Sequence, residues 1–187
     1  MATDMMRAAG ANVQPVITAR RVTLRPLRMS DMGLMELYAG DKRVSGFTTS
    51  IPHPLPPGAT EAFITKSNAP DRSEDVWALD GSASGLGELV GVIGLDRMEG
   101  VGRRQSAVGY WVAPQMWNTG LASEALKALI EVNPQGCETI FGEVFQDNEI
   151  SARVLTNAGF EYIGDAEAYS VARGNTVTTW TYMKKLA

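Results

Sequence analysis

The stretch Val112-Ala113-Pro114-Gln115-Met116-Trp117-Asn118-Thr119-Gly120-Leu121-Ala122-Ser123-Glu124-Ala125-Leu126 has the residue types needed to hold an anion. It reads as the end of a strand, a turn with small residues and the start of a helix. The first backbone N–H groups of a helix lack internal partners, and the aligned peptide dipoles place partial positive charge there. A pyrophosphate fits that end. Gly120 and Ala122 remove side-chain bulk where a phosphate would approach the backbone. No Lys-Ser or Lys-Thr follows, which argues against a nucleoside-triphosphate P-loop. An ordinary tight strand-to-helix turn has the same pattern, so the stretch by itself leaves both readings open.

Other chemistry-bearing residues are scattered. Histidine is the side chain suited to proton transfer near neutrality, and His53 lies in the Pro-rich run His53-Pro54-Leu55-Pro56-Pro57-Gly58, where it is either a base or a structural residue. Glu143 is a carboxylate in a strand-like segment, a position that usually faces solvent. Cys137 has no histidine or base beside it and reads as a buried or incidental thiol. The single cysteine cannot make an internal disulfide, and the His/Cys inventory has no zinc spacing, so no metal site is expected.

The elements that must position these residues follow from periodicity. Arg21 to Leu27 alternates as a strand, and Ser30-Asp31 opens a helix carrying Met32, Leu34, Met35 and Leu37. Thr60 to Ala69 is a short helix with Ala62, Phe63 and Ile64 available for burial. Val76–Asp80, Leu89–Leu95 and Gln105–Val112 form an antiparallel meander. Leu121, Ala125, Leu126, Leu129 and Ile130 make one face of a helix ended by Pro134 and Gly136. Thr139–Phe145 is a strand, Ile150, Val154, Leu155 and Ala158 mark a helix closed by Gly159, and Val177–Met183 is a last strand.

The whole chain bounds the answer further. Its 187 residues suit one α/β domain, expected over 17–187 behind a flexible tail over 1–16. That N-terminal stretch fails as a signal peptide or membrane span, so no membrane association is expected. A net charge of -4 gives no footprint for nucleic acid and mildly favours a basic partner. A reducing cytoplasm is the expected setting, with the protein a monomer or homodimer.

Two linked motifs add specificity. Gly109-Tyr110-Trp111-Val112 followed by Trp117-Asn118-Thr119-Gly120-Leu121-Ala122-Ser123-Glu124-Ala125 resembles the central motif of ribosomal-protein N-terminal acetyltransferases, the RimJ/RimL-like branch of the GNAT superfamily. The run from Asp147 to Phe160, with Asn148, Ser151, Gly159 and Phe160, looks like the second signature of that branch, and Thr23-Leu24-Arg25-Pro26-Leu27 matches its first strand. The resemblance covers about residues 20–185. It implies an α/β (α+β) GNAT fold: a mixed, mostly antiparallel sheet flanked by helices and splayed between its fourth and fifth strands, here Gln105–Val112 and Thr139–Phe145. Acetyl-CoA would enter the opening, the pantetheine arm taking the place of a missing strand.

On that resemblance the backbone of Val112 pairs with pantetheine, and the N–H groups of Trp117, Asn118, Thr119, Gly120, Leu121 and Ala122 surround the pyrophosphate. Asn148 hydrogen-bonds the pantetheine arm, with Ser151 nearby. His53, Trp111 and Arg173 would line the acceptor side, although Arg173 also reads as a solvent-facing residue. Trp117 stands where Gln or Arg is usual, and Asn118 replaces a glycine at a position that asparagine tolerates if φ is positive.

The implied chemistry needs a neutral amine, a donor for the developing oxyanion and a proton source for the departing thiolate. The tyrosine acid common in the superfamily is Leu155 here, which makes Ser151 the candidate acid, with a helix N-cap as its other reading. The usual glutamate base is Ala107, leaving Glu143 or a water chain. An α-amine, with a reference pKa near ~8 against ~10.4 for lysine, asks less of a base. The expected activity is therefore acetyl transfer to a protein or peptide N-terminus. Two alternatives stay open: a small-molecule amine acceptor (polyamine, amino acid or aminoglycoside), or a CoA-binding module without catalysis.

Overall fold

The computed structural model describes residues 13–99 and 104–186. Eight strands form one sheet in the order β1-β2-β3-β4-β5-β6-β8-β7. These are β1 (Ile17–Thr18), β2 (Thr23–Pro26), β3 (Glu74–Asp80), β4 (Gly91–Met98), β5 (Gln105–Val112), β6 (Thr139–Phe145), β7 (Glu161–Ser170) and β8 (Asn175–Lys185). All pairings are antiparallel except β5 with β6. The short β1 shifts the count, so the expected fourth and fifth strands are β5 and β6.

The parallel ladder is where the sheet opens. Only Gln105–Val108 of β5 pairs with β6, against Thr139–Gly142, while β4 pairs with the whole of β5 and β8 with the whole of β6. Beyond Val108 and Gly142 the two halves of the sheet diverge and leave a notch.

Helices cover both faces. The amphipathic period puts Leu121, Ala125, Leu126 and Leu129 of α4 (Leu121–Val132) into a core with Leu24, Trp77, Ile93, Ile140, Val144 and Leu155. Helix α5 (Glu149–Asn157) lies on this face too, contributing Ala152 and Leu155. The opposite face buries Leu27, Met35, Ile64, Val76, Ala78, Leu89 and Val92 in a smaller cluster with α1 (Met32–Ala39) and α3 (Ala59–Ser67). Each buried Val, Leu, Ile or Met side chain among these contributes roughly 1.5–3 kcal/mol on burial.

Several details depart from the sequence reading. The first helix begins as a 3-10 turn over Met29–Asp31, and Asp31 is buried in a two-point pair with Arg25, which also meets Asp80. The Asp31 carboxylate, and then Asp80, hold the Arg25 guanidinium above its ordinary pKa against the opposing effect of burial. In α3 only Ile64 of the three expected residues is buried, with Ala62 and Phe63 facing out. Ile150 is exposed as well. A four-residue helix, α2 (Lys42–Ser45), and strand β7 have no counterpart in the sequence reading. β7 is an edge strand exposed along almost its whole length, so no buried alternation marks it.

Of the tail expected over 1–16, residues 1–12 lie outside the described residues. Residues 13–16 carry no regular structure, yet the Gln14 amide donates to Val76 O at 2.6 Å and the Trp77 indole donates to Pro15 O at 2.8 Å. No helix among the described residues is long and apolar enough to cross a membrane.

Candidate active site

The turn after β5 is shaped by its own backbone. Pro114–Met116 forms a 3-10 turn, Asn118 adopts φ 60° and Gly120 φ 80°. Asparagine at Asn118 and glycine at Gly120 suit these left-handed positions, because other side chains are strained there. The Trp117 N–H is already donated to Pro114 O at 3.2 Å, whereas those of Asn118, Thr119 and Gly120 have no partner among the described residues. With the first-turn N–H groups of Leu121 and Ala122, they make a cluster of donors at the positive end of α4.

Trp117 takes a different part from the backbone donor expected of it. Its indole N–H donates to Val112 O at 2.8 Å, tying the turn back to the end of β5. Ala113 N donates to Val90 O, so by strand alternation the N–H and C=O of Val112 point away from β4 towards the notch. The indole satisfies the carbonyl and leaves the Val112 N–H for a ligand. The Arg43 guanidinium lies 5.8 Å from the centroid of the Trp117 ring. A cavity of about 510 Å³ opens beside them, lined by Leu37, Tyr38, Asp41, Arg43, Pro114 and Gln115.

Arg21 braces the turn from behind. Its Nη1 donates to Thr119 O at 2.9 Å, and its Nε and backbone N–H both reach the Glu124 carboxylate, at 2.8 and 2.5 Å. Burial raises the Glu124 pKa, but the Arg21 hydrogen bonds and charge outweigh it and hold the carboxyl below its ordinary value.

The start of α5 supplies the next groups. Asn148 is the N-cap, its side-chain oxygen accepting from Ser151 N at 3.2 Å. The cap role considered for Ser151 therefore belongs to Asn148, and the Ser151 hydroxyl is free for other work. It donates to the Tyr110 hydroxyl at 3.0 Å, and Tyr110 donates to Ser151 O at 3.2 Å. Tyr110 had no assigned role in the sequence reading. Its signal was its place in the Gly109-Tyr110-Trp111 run, on the same face of β5 as Val108 and Val112. Leu155 is 1% exposed in the core and packs onto Gly142, where an added Cβ would meet its methyl groups at 2.9 Å.

Glu143, Phe145 and Trp111 belong to the opposite face. On β6, Ile140 and Val144 point into the α4–α5 core, so the alternation turns Glu143 and Phe145 the other way. Glu143 is solvent-facing and accepts from Thr179 Oγ1 at 2.5 Å. Trp111 is half-buried against the α1–α3 cluster.

Arg173, in the β7–β8 turn, is engaged on every side. Its Nε donates to Gly46 O at 2.6 Å, and its Nη atoms donate to the two Asp147 oxygens at 2.8 and 3.2 Å. The guanidinium also lies over Phe145 at 4.8 Å and Phe47 at 5.1 Å. Val171 N donates to Thr49 O at 3.0 Å and Ser170 Oγ to Thr48 O at 3.4 Å. The segment after α2 is thus strapped to the last hairpin and to the residue before Asn148, and the solvent-facing reading of Arg173 is corrected. His53 follows a separate path: it is exposed, and its Nδ1 is 3.0 Å from Gly40 O at the end of α1. No hydrogen bond among the described residues joins it to Glu143, Trp111 or Arg173.

Similarity to known proteins agrees with this geometry. The uncharacterized N-acetyltransferase YoaA of Bacillus subtilis (strain 168) is 33% identical over 97 residues. That match spans 51% of this chain and 54% of the relative, so about half the length of that protein is matched. Mycobacterium smegmatis RimJ in complex with CoA-disulfide superposes with a TM-score of 0.77 at 18% identity, covering 93% of this chain and 88% of that one. RimL, a ribosomal alpha-N-protein acetyltransferase in complex with coenzyme A, gives a TM-score of 0.78 at 14% identity, covering 92% and 98%. These two likenesses carry the fold. The acetyltransferase (GNAT) domain family matches residues 21–161, three-quarters of the chain, and the chain belongs to that family.

Proposed function

We propose that this chain transfers the acetyl group of acetyl-CoA to a primary amine, preferably a protein or peptide N-terminal α-amine, by direct attack in a ternary complex. The observation that carries this reading is the ladder break after Val108 and Gly142, next to a turn with unspent N–H groups at Asn118, Thr119 and Gly120. One domain over 17–187 holds both sides of the reaction, in a reducing cytoplasm.

The N–H groups of residues 118–122 hold the pyrophosphate, and the Val112 N–H and the Asn148 amide hold the pantetheine arm. The bound thioester supplies an activated carbonyl. Ser151 stands on the α4–α5 face as the acid for the thiolate. Glu143 stands on the other face as the carboxylate that relieves the amine of its proton. The likeness in fold to RimL, itself an alpha-N-protein acetyltransferase, supports the α-amine preference. So does Ala107, which leaves the usual base position empty, because an α-amine with a pKa near ~8 needs less help than a lysine near ~10.4.

The test is CoA release with a peptide panel run beside polyamines, amino acids and aminoglycosides. Free-N-terminus peptides are expected to turn over at least about tenfold faster than N-terminally blocked, lysine-containing ones, a difference of about 1.4 kcal/mol. Release with none of these amines, despite tight CoA binding, would establish a binding module instead. Glu143→Gln is expected to lower kcat by about 10²-fold, and an unchanged kcat would point to a water chain.

A further inference from the structure

We infer that Tyr110 is the proton reservoir for the departing thiolate and acts through Ser151. This rests on the acetyl-transfer reading above. The place where related enzymes carry a phenol is Leu155, which is sealed against Gly142 and has no hydroxyl. A phenol nevertheless reaches this region from the neighbouring strand. Tyr110 comes two residues after Val108, where the β5–β6 ladder ends, and its Oη is 3.0 Å from Ser151 Oγ. The contact bridges β5 and α5 across the α4–α5 face of the notch.

The chemistry favours a pair over a lone serine. A serine that gives up its proton is left as an alkoxide, a much stronger base than a phenolate. A phenol is better matched than an aliphatic hydroxyl to a thiol near ~8.5, even with its own pKa raised. Burial pushes the Tyr110 pKa up to about 12, only partly countered by the Ser151 hydrogen bond, so the phenol is in the protonated form that a donor requires.

The step balances as follows. The acceptor nitrogen bonds to the carbonyl carbon, the C–S bond breaks, and sulfur leaves with the electron pair. Ser151 Oγ gives its proton to sulfur and takes the proton of Tyr110. Glu143 takes the proton that nitrogen sheds and returns it, through water, to the phenolate. The Tyr110 O–H needs only to turn from Ser151 O to Ser151 Oγ.

Tyr110 is a positioning residue on this account, and its test reads the sulfur directly. The thiol of CoA bound to the protein is titrated by its ultraviolet absorbance in wild type, Tyr110→Phe, Ser151→Ala, Ser151→Thr and the Tyr110→Phe/Ser151→Ala double variant. Hydrogen-bond donors favour the thiolate, so wild type and Ser151→Thr are expected to ionise the bound thiol about one pH unit below Tyr110→Phe and Ser151→Ala. The double variant is expected to go no further than the larger single one. With an amine the wild type uses, Tyr110→Phe lowers kcat about tenfold and leaves the KM for acetyl-CoA unchanged. Superimposable thiol titrations in wild type and Tyr110→Phe, both folded and both binding CoA, would overturn the inference. A wild type that shifts the bound thiol yet acetylates no amine sinks the transfer reading alone, and one that binds no CoA sinks both.

Discussion

The two faces of the notch are built in opposite ways. On the α4–α5 face the backbone donors come from one run, Val112 to Ala122, closed on itself by Trp117 to Val112 and braced by Arg21, with Asn148 and Ser151 added from the start of α5. On the other face, Arg173 draws Gly46 and Phe47 together with Phe145 and Asp147, two parts of the chain distant from each other and from itself. A site assembled from one turn keeps its geometry when the rest of the molecule moves slightly. A site assembled by a strap depends on several loops at once, and loops are where sequence and shape vary. On the proposed function, the cofactor belongs to the first face and acceptor choice to the second.

The hardest blow to this contrast comes from Gly120→Val. The glycine adopts φ 80°, and an added Cβ would come within 3.6 Å of an Arg21 guanidinium nitrogen. A β-branched residue there costs about 1–3 kcal/mol in backbone strain. Acetyl-CoA affinity is expected to fall about 10- to 100-fold by calorimetry, with the KM for the amine unchanged. Equal losses on both substrates would show that the two faces are one unit.

A smaller and opposite effect is expected of Arg173→Ala. It removes the two-point pair to Asp147 and the bond to Gly46 O together, and frees the hairpin from the segment after α2. The KM for a peptide acceptor should rise about tenfold, near 1.4 kcal/mol, while calorimetric acetyl-CoA affinity stays within twofold of wild type. Steady-state kinetics at saturating acetyl-CoA decide it. A change in cofactor affinity as large as the change in KM would place Arg173 in the donor machinery through Asp147 and the neighbouring Asn148.

What the sequence made legible follows the same division. The turn, α4, the meander and the start of α5 are local patterns of small residues, caps and periodicity, and they stand where periodicity places them. The positive φ at Asn118 follows from the tolerance of asparagine for it. The part of Tyr110 is not legible in the sequence, because its partner is 41 residues away and only the fold brings Ser151 to it. Arg173 looked solvent-facing because its partners Gly46 and Asp147 are 127 and 26 residues away. β7 offered no alternation because an exposed edge strand has little buried face to mark. Ile150 misled through hydrophobicity alone, since it occupies the exposed side of α5.

The mildest test concerns the brace behind the turn and adds a pH signature. The Glu124 carboxyl lies below its ordinary pKa because the Arg21 N–H, guanidinium and charge outweigh the cost of burial. A carboxyl depressed on folding contributes stability that is fully present above its unfolded pKa of about 4.3 and is lost as pH falls through the folded value. Glu124→Gln should therefore cost about 1 kcal/mol at neutral pH and flatten the decline of stability below about pH 4 to 5. Urea unfolding midpoints of both proteins across pH 3 to 7, a window set by that linkage, measure it. Because Arg21 also holds Thr119 O, the same substitution should weaken acetyl-CoA binding by about two- to fivefold, within 1 kcal/mol, and leave the amine untouched. Parallel pH curves for the two proteins would mean that the carboxylate does not brace the turn, and the donor face would then owe its shape to the left-handed residues and the Trp117 indole alone.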